Sequence, residues 1–202
     1  LSAVLSDMEK SMEGYSAGVK ALLKGDFPLQ IDIHGVVSKL ISVDEKYSLA
    51  VETALSNALQ NIVVGSEEDA KSAISYLKDK RLGRATFLPL TSVAGRRGNF
   101  ENKIKGIKGS LGLACDVVEC DGIYRAIVEN LLGQTALFDN IDNAIAAAKK
   151  FEYRFKIVTL GGEVLYAGGS ITGGSYAKNS RLLGREKEIT ALTDEVNKLS
   201  EE

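Results

Sequence analysis

Apolar residues recur along this chain at two periods. Leu1, Leu5, Met8, Met12 and Tyr15 are spaced 4, 3, 4, 3, with Asp7, Glu9, Lys10 and Glu13 outside the seam, the a/d pattern of a coiled-coil helix. Toward the other end Leu182, Ile189 and Val196 repeat every seven residues, and Leu192 and Leu199 fill the alternate positions. Helices this short barely nucleate alone. Both seams run to the chain ends without a stop signal, and the chain begins with Leu. It reads as a piece of a longer protein, with one helical arm entering and another leaving. The other reading packs both helices on the domain's own core, because periodicity does not name a helix's partner.

Between the arms the pattern changes to short apolar runs and one-sided helices. Asn61-Ile62-Val63-Val64 predicts a buried strand, and Ser66 an N-cap with Glu67, Glu68 and Asp69 in the first turn. Ala70, Ala73, Ile74 and Leu77 then form one apolar helix face, Gly83 is the expected stop, and Ala85 to Leu88 is the next strand. Such a strand-helix-strand unit has parallel strands and a right-handed crossover. The grammar returns with strand Thr135 to Phe138, a cap at Asp139 or Asn140, the face Ile141, Ala144, Ile145 and Ala148, and strand Lys156 to Leu160. Helices over Tyr47 to Leu59 and Ile123 to Leu132 precede the two units. Thr91 to Ser110, rich in glycine and lysine, reads as a linker or mobile loop. The expected fold class is α/β (mixed α+β): two similar strand-helix-strand subdomains with mixed sheets, flanked by coiled-coil helix stubs.

Composition narrows the chemistry. The 202 residues are 45% hydrophobic and 26% charged, the balance of a soluble globular chain. No run approaches a membrane span, and no signal peptide opens the chain. There is one histidine, His34, and there are two cysteines, Cys115 and Cys120, which do not form a recognisable zinc set. A Ser-His-Asp or Cys-His mechanism would have to use His34, which reads better as a structural or partly exposed residue. The thiols read as reduced, in a cytoplasmic protein. Asp116, Glu119 and Asp121 form the densest acidic cluster, most simply a solvated loop. A nucleotide-binding α/β enzyme is the rival class, and it would need a phosphate loop.

Two stretches stand out. Gly161 to Ser175 holds three Gly-Gly pairs without a lysine or arginine, so it is neither a P-loop nor a dinucleotide fingerprint. It reads either as a close backbone approach, in which an edge strand pairs with another chain, or as two tight hairpin turns without a partner. Arg96, Arg97, Lys103, Lys105 and Lys108 give Thr91 to Ser110 a charge of about +4, and Lys149, Lys150, Arg154 and Lys156 make a second basic stretch, in a chain of net charge −2. These are candidate phosphate contacts.

Several runs together resemble the hinge domain of SMC (structural maintenance of chromosomes) proteins, bacterial type. They are Gly18 to Leu23, Gly35-Val36-Val37 through Val43-Asp44-Glu45-Lys46-Tyr47 to Leu59 to Val64, Tyr76-Leu77-Lys78, Gly83 to Leu90, and Tyr153 to Leu160 leading into the glycine segment. Gly161 and Ala167 depart from the family's usual acid and proline. The resemblance implies a homodimer joined through Gly162, Gly168, Gly169, Gly173 and Gly174. It implies arms at 1–24 and 176–202 that pair within one chain, around subdomains at 25–110 (with the linker) and 111–175. It also implies weak, sequence-independent DNA binding, for which Arg96, Arg97, Lys103, Lys105 and Lys108 are the candidates. No catalytic residue, metal or cofactor is implied here, because the parent protein would bind ATP through a separate head. Location in the cytoplasm, on the nucleoid, follows from the same resemblance.

Overall fold

The computed structural model describes residues 14–25, 30–175 and 183. Leu1, Leu5, Met8 and Met12 of the first seam, and Leu182, Ile189, Leu192, Val196 and Leu199 of the second, lie outside the described residues, as does the expected pairing of the arms. The described end of the first arm packs on the domain: helix α1 (Ala17–Leu23) buries Val19 and Leu22, and Tyr15 Oη lies 2.9 Å from Ser38 Oγ. The helix docks backbone to backbone, since a Cβ on Gly18 would stand 2.7 Å from Arg84 O.

The first unit runs β1 (Ile33–Val36), α2 (Val37–Leu40), β2 (Ile41–Val43), α3 (Glu45–Leu55), β3 (Ile62–Val64), α4 (Glu67–Asp79) and β4 (Phe87–Pro89). β3 is central, antiparallel to β1 and parallel to β4. Alternation along β3 divides its side chains between two cores. Ile62 and Val64 join Val19, Leu22, Ala70, Ala73 and Leu77 in a small cluster between α1 and α4. Val63 and Leu88 enter a large core shared with the second unit.

The second unit continues with α5 (Glu101–Ile104), β5 (Ser110–Leu113), β6 (Val118–Cys120), α6 (Arg125–Leu132), β7 (Thr135–Phe138), α7 (Ile141–Lys150), β8 (Lys156–Thr159), β9 (Val164–Leu165) and β10 (Ile171–Thr172). Five strands lie in the order β10-β9-β8-β7-β5; β7 and β8 are parallel, the other pairs antiparallel. β2 pairs with β6 as a separate two-stranded sheet that stitches the units together.

The two crossover helices begin and end alike. Ser66 Oγ accepts the Asp69 N–H, and Asn140 Oδ1 accepts the Asn143 N–H. Leu82 N–H donates to Leu77 O, and Tyr153 N–H to Ala148 O, the six-to-one bond of a Schellman ending. Its left-handed position, commonly glycine, is Arg81 (φ 55°) in the first unit and Glu152 (φ 55°) in the second. Gly83 is therefore not the stop: α4 ends at Asp79, because the backbone closes on itself first. Ile74 is also displaced from its expected place and is 45% exposed, while Ala70, Ala73 and Leu77 carry the buried face. The helix expected over Ile123 to Leu132 starts at Arg125, since Asp121 Oδ1 accepts the Ile123 N–H and holds Gly122–Tyr124 as a 3-10 turn.

Thr91 to Ser110 packs against the second unit rather than linking freely. Phe100 and Ile104 are buried in the large core, Gly98 N–H donates to Gly133 O, and Asn130 Nδ2 donates to Ala94 O. Two apolar anchors outweigh the loop-like composition around them. Ser66→Ala and Asn140→Ala are each expected to cost about 1 kcal/mol in urea unfolding with an unchanged m-value, since each removes one cap from an otherwise intact helix.

Candidate functional site

The glycine segment folds as turns around a hairpin. Gly162 N–H donates to Thr159 O and closes the turn from β8 to β9; Gly169 N–H donates to Tyr166 O within the turn from β9 to β10. Gly162 (φ 86°), Gly168 (φ 91°), Gly169 (φ 101°) and Gly174 (φ 143°) occupy backbone conformations that other residues resist. Gly162 is set apart from the rest. It alone is buried, and a Cβ there would stand 3.0 Å from Leu49 Cγ of α3, whereas a Cβ on the exposed Gly173 would stand 3.1 Å from Glu163 Cγ. Gly168, Gly173 and Gly174 are exposed and Gly169 is half-buried.

The hairpin leaves β10 as the outer strand of the sheet. Tyr166 N–H donates to Ser170 O at 2.8 Å, so position 170 faces β9. Alternation along an antiparallel ladder then turns the N–H and C=O of Ile171 to the open side. The Ile171 side chain is 49% exposed, and Thr172 to Ser175 are exposed too. This is an apolar, uncharged edge, the kind that another strand extends.

The two basic stretches meet at one cleft of about 900 Å³. Arg97 and Lys103 line it from the Thr91 to Ser110 segment, and Lys150, Arg154 and Lys156 from the turn between α7 and β8. Its aromatic floor is Phe100 stacked on Phe155, with centroids 3.8 Å apart and planes at 11°. The wall on the hairpin side is Ala167.

A model of the SMC proteins flexible hinge domain matches residues 30–148, more than half of the chain. The chain belongs to the SMC hinge family. It is 45% identical over 199 residues to the chromosome partition protein Smc of Halothermothrix orenii, spanning 98% of this chain and 17% of that protein. A crystal structure of an asymmetric dimer of the Geobacillus stearothermophilus SMC hinge domain superposes with a TM-score of 0.85 at 39% identity, over 99% of this chain and 81% of that one. The Pyrococcus furiosus SMC hinge domain superposes at 0.63 and 31% identity, over 86% and 87%. The hinge thus spans about a sixth of the length of the curated relatives it matches.

Placed in this hinge, the candidate phosphate contacts are not equivalent. Arg97 is engaged by carboxylates: its guanidinium meets Glu101 at 3.0 Å, Asp116 at 2.9 Å and Glu129 at 3.4 Å, and Arg125 joins Asp116 and Glu129 at 3.9 and 3.6 Å. Lys105 lies 3.8 Å from Glu101. Arg96, Lys103 and Lys108 have no ion pair among the described residues. Lys156, which the resemblance did not mark, crosses between the units: its ammonium donates to Ala54 O at 2.8 Å, on the last turn of α3, and burial pushes its pKa down. A lysine at a strand start gives no sequence signal for that contact.

Of the acidic cluster only Asp116 belongs to this network, and Glu119 is exposed on β6. Asp116 faces Arg97, and Asp121 caps the 3-10 turn. Cys115 is buried behind the network, and burial pushes its thiol up to about 11. His34 Nδ1 lies 3.0 Å from Tyr124 Oη, and Nε2 lies 3.4 Å from Asp32, a structural bridge between the units. The nucleotide-enzyme reading finds no support, because the glycines form turns of a hairpin rather than a loop opening a helix.

Hydrogen bonds from Arg97 hold the Glu101 carboxyl below its ordinary value. A carboxylate with a depressed folded pKa contributes stability above its unfolded pKa, near 4.5, and loses it as pH falls through the folded value. Urea unfolding from pH 7 down to pH 3 is therefore expected to show a loss of stability that is shallower in Glu101→Gln, and the two curves should converge at the acid end.

Proposed function

We propose that this hinge is a homodimerisation module, joining two copies of a longer chromosome-partition protein through the open edge of β10. The observation that carries the reading is the outward-facing backbone of Ile171 on an uncharged outer strand. The Geobacillus stearothermophilus hinge, its structural relative, is an asymmetric dimer. In this reading Gly168, Gly169, Gly173 and Gly174 lie along the contact, where absent side chains let two backbones approach, while Gly162 supports the hairpin from behind. Residues 25–110 and 111–175 are its two subdomains, and 1–24 and 176–202 lead into arms that pair within one chain toward an ATP-binding head. The hinge itself carries out no reaction, and it works on the nucleoid in the cytoplasm.

Proline in place of Ile171 removes an N–H that β9 does not use, so it should spare the fold and damage only the outer edge. Light scattering over a dilution series is expected to give dimer mass for the wild type and monomer mass for Ile171→Pro, with matching circular dichroism. A monomeric wild type at micromolar concentration defeats the reading, as does an Ile171→Pro variant that keeps dimer mass.

A second reading, weak DNA binding without sequence preference, is favoured by the convergence of the two basic stretches on one surface. Lysine and arginine meeting phosphates release counterions, so affinity should be on the order of micromolar or weaker at physiological salt and fall steeply as salt rises. Replacing Arg96, Lys103 and Lys108 together with Gln is expected to weaken duplex binding and flatten the salt slope by about 0.9 for each phosphate no longer neutralised. Fluorescence anisotropy with unrelated duplexes reads this. A slope unchanged in the triple variant would place the DNA elsewhere on the surface.

A further inference from the structure

The turn between α7 and β8 performs two tasks at once. Glu152 and Tyr153 sit in the left-handed region in succession, at φ 55° and 54°. Out of this turn come Lys150, Arg154 and Lys156, all lining the cleft. Arg154 is paired with Glu152, the one acid among the described residues of the cleft wall, and Lys156 is held by Ala54 O. Lys150, and Lys103 opposite, have no ion-pair partner among the described residues. The cleft therefore gathers more cations than its single acid can balance. Gln134 and Asn99 line the same space, and their amides can donate to an anion.

The other face of the turn holds the hairpin. Tyr153 O accepts the Gly168 N–H at 2.9 Å, and a Cβ on Gly169 would touch the Tyr153 ring at 3.7 Å. Ala167, between the hairpin strands, closes the cleft on that side. Repulsion among the cleft cations and the hold on the hairpin thus act through one short segment whose backbone is confined to an uncommon conformation.

We infer that this cleft is a binding site for phosphate-bearing anions, and that its occupation tightens the hold of the α7–β8 turn on the β9–β10 hairpin. An anion lying between Lys103, Lys150 and Arg154 exchanges mutual repulsion for charge-assisted hydrogen bonds and fixes the turn in the geometry that presents Tyr153 O to Gly168. A ligand that favours one arrangement of the turn shifts the hairpin toward the same arrangement. The inference rests on the basic surface described for DNA, and adds to it a defined pocket and a consequence for the dimer edge.

Inorganic tripolyphosphate is the probe. Calorimetry at low salt is expected to show one site per chain, with Kd raised about tenfold or more when Lys103, Lys150 and Arg154 are all changed to Gln. Changing Lys71, Lys78 and Lys80, on and just after α4, to Gln removes the same charge elsewhere and should leave binding unaltered. Hydrogen exchange at the Gly168 amide should slow on adding tripolyphosphate to the wild type, and not in the cleft variant. A short single-stranded oligonucleotide that displaces tripolyphosphate identifies a nucleic-acid backbone as the source of the phosphate; one that binds without displacing it leaves a free polyphosphate. No binding of tripolyphosphate, binding that survives in the cleft variant, or binding without slower exchange at Gly168 overturns the inference. Duplex binding that weakens in the Arg96, Lys103 and Lys108 variant while tripolyphosphate fails to bind would reject the pocket and leave the DNA reading standing. Ile171→Pro, tested in parallel, separates loss of the dimer from loss of the anion.

Discussion

Neither strand-helix-strand unit can bury its own sheet. Parallel strands need a crossover helix, and that helix covers one face only. In the first unit α4 covers Ile62 and Val64, and the opposite face, with Val63 and Leu88, is left for other elements to close. That face shares one continuous core with the second unit, whose strands contribute Leu113 and Ile157 from one side of their sheet and Leu137 and Val164 from the other. This shared burial fixes how the units sit, and the β2–β6 ladder, the His34–Tyr124 bridge and the Lys156–Ala54 bond all lie across the same junction. Such a joint resists separation, because pulling the units apart exposes apolar surface of both.

Local elements are legible in the sequence, and legibility ends where the deciding contacts become distant. Thr135 to Phe138 is readable to the residue as β7, because a short apolar run between a glycine and a cap leaves little choice. Ser66 and Asn140 are readable as caps, since the cap bond is made within three residues. The Schellman endings at Arg81 and Glu152 are not, because glycine is their usual signal and the backbone accepts other residues once Leu82 and Tyr153 close the loop. Phe100 and Ile104 are hidden by the glycines and lysines around them, and Phe100 stacks on Phe155, far along the chain.

The candidate site divides in the same way. Its glycines are visible, and spacing alone does not decide whether they serve turns or an edge. In the fold they serve turns that create an edge: Gly162 and Gly169 close the reversals, and the strand they deliver, β10, is the outermost of five. The basic residues are visible as two runs, but their convergence requires the α7–β8 turn to come alongside the Thr91 to Ser110 segment. That juxtaposition also separates Arg97, occupied by three carboxylates, from Lys103, which lines the cleft without an ion pair among the described residues.

Helix α3 sets where the hairpin can stand. Leu49, midway along it, backs Gly162 so closely that a Cβ there would stand 3.0 Å from its Cγ, and one of the two would have to give. Just over one turn further on, Ala54 O accepts the Lys156 ammonium at the start of β8. The strand that carries the hairpin is thus held by the first unit at both of its ends, once by close packing and once by a charge-assisted bond to a helix C-terminus, where a cation also complements the helix dipole. Packing at Leu49 is indifferent to ionic conditions, whereas the Lys156 bond lies at a cleft lined by several cations. The strand that delivers β10 is therefore held once by apolar packing and once at the wall of the basic cleft, two contacts of different sensitivity to salt.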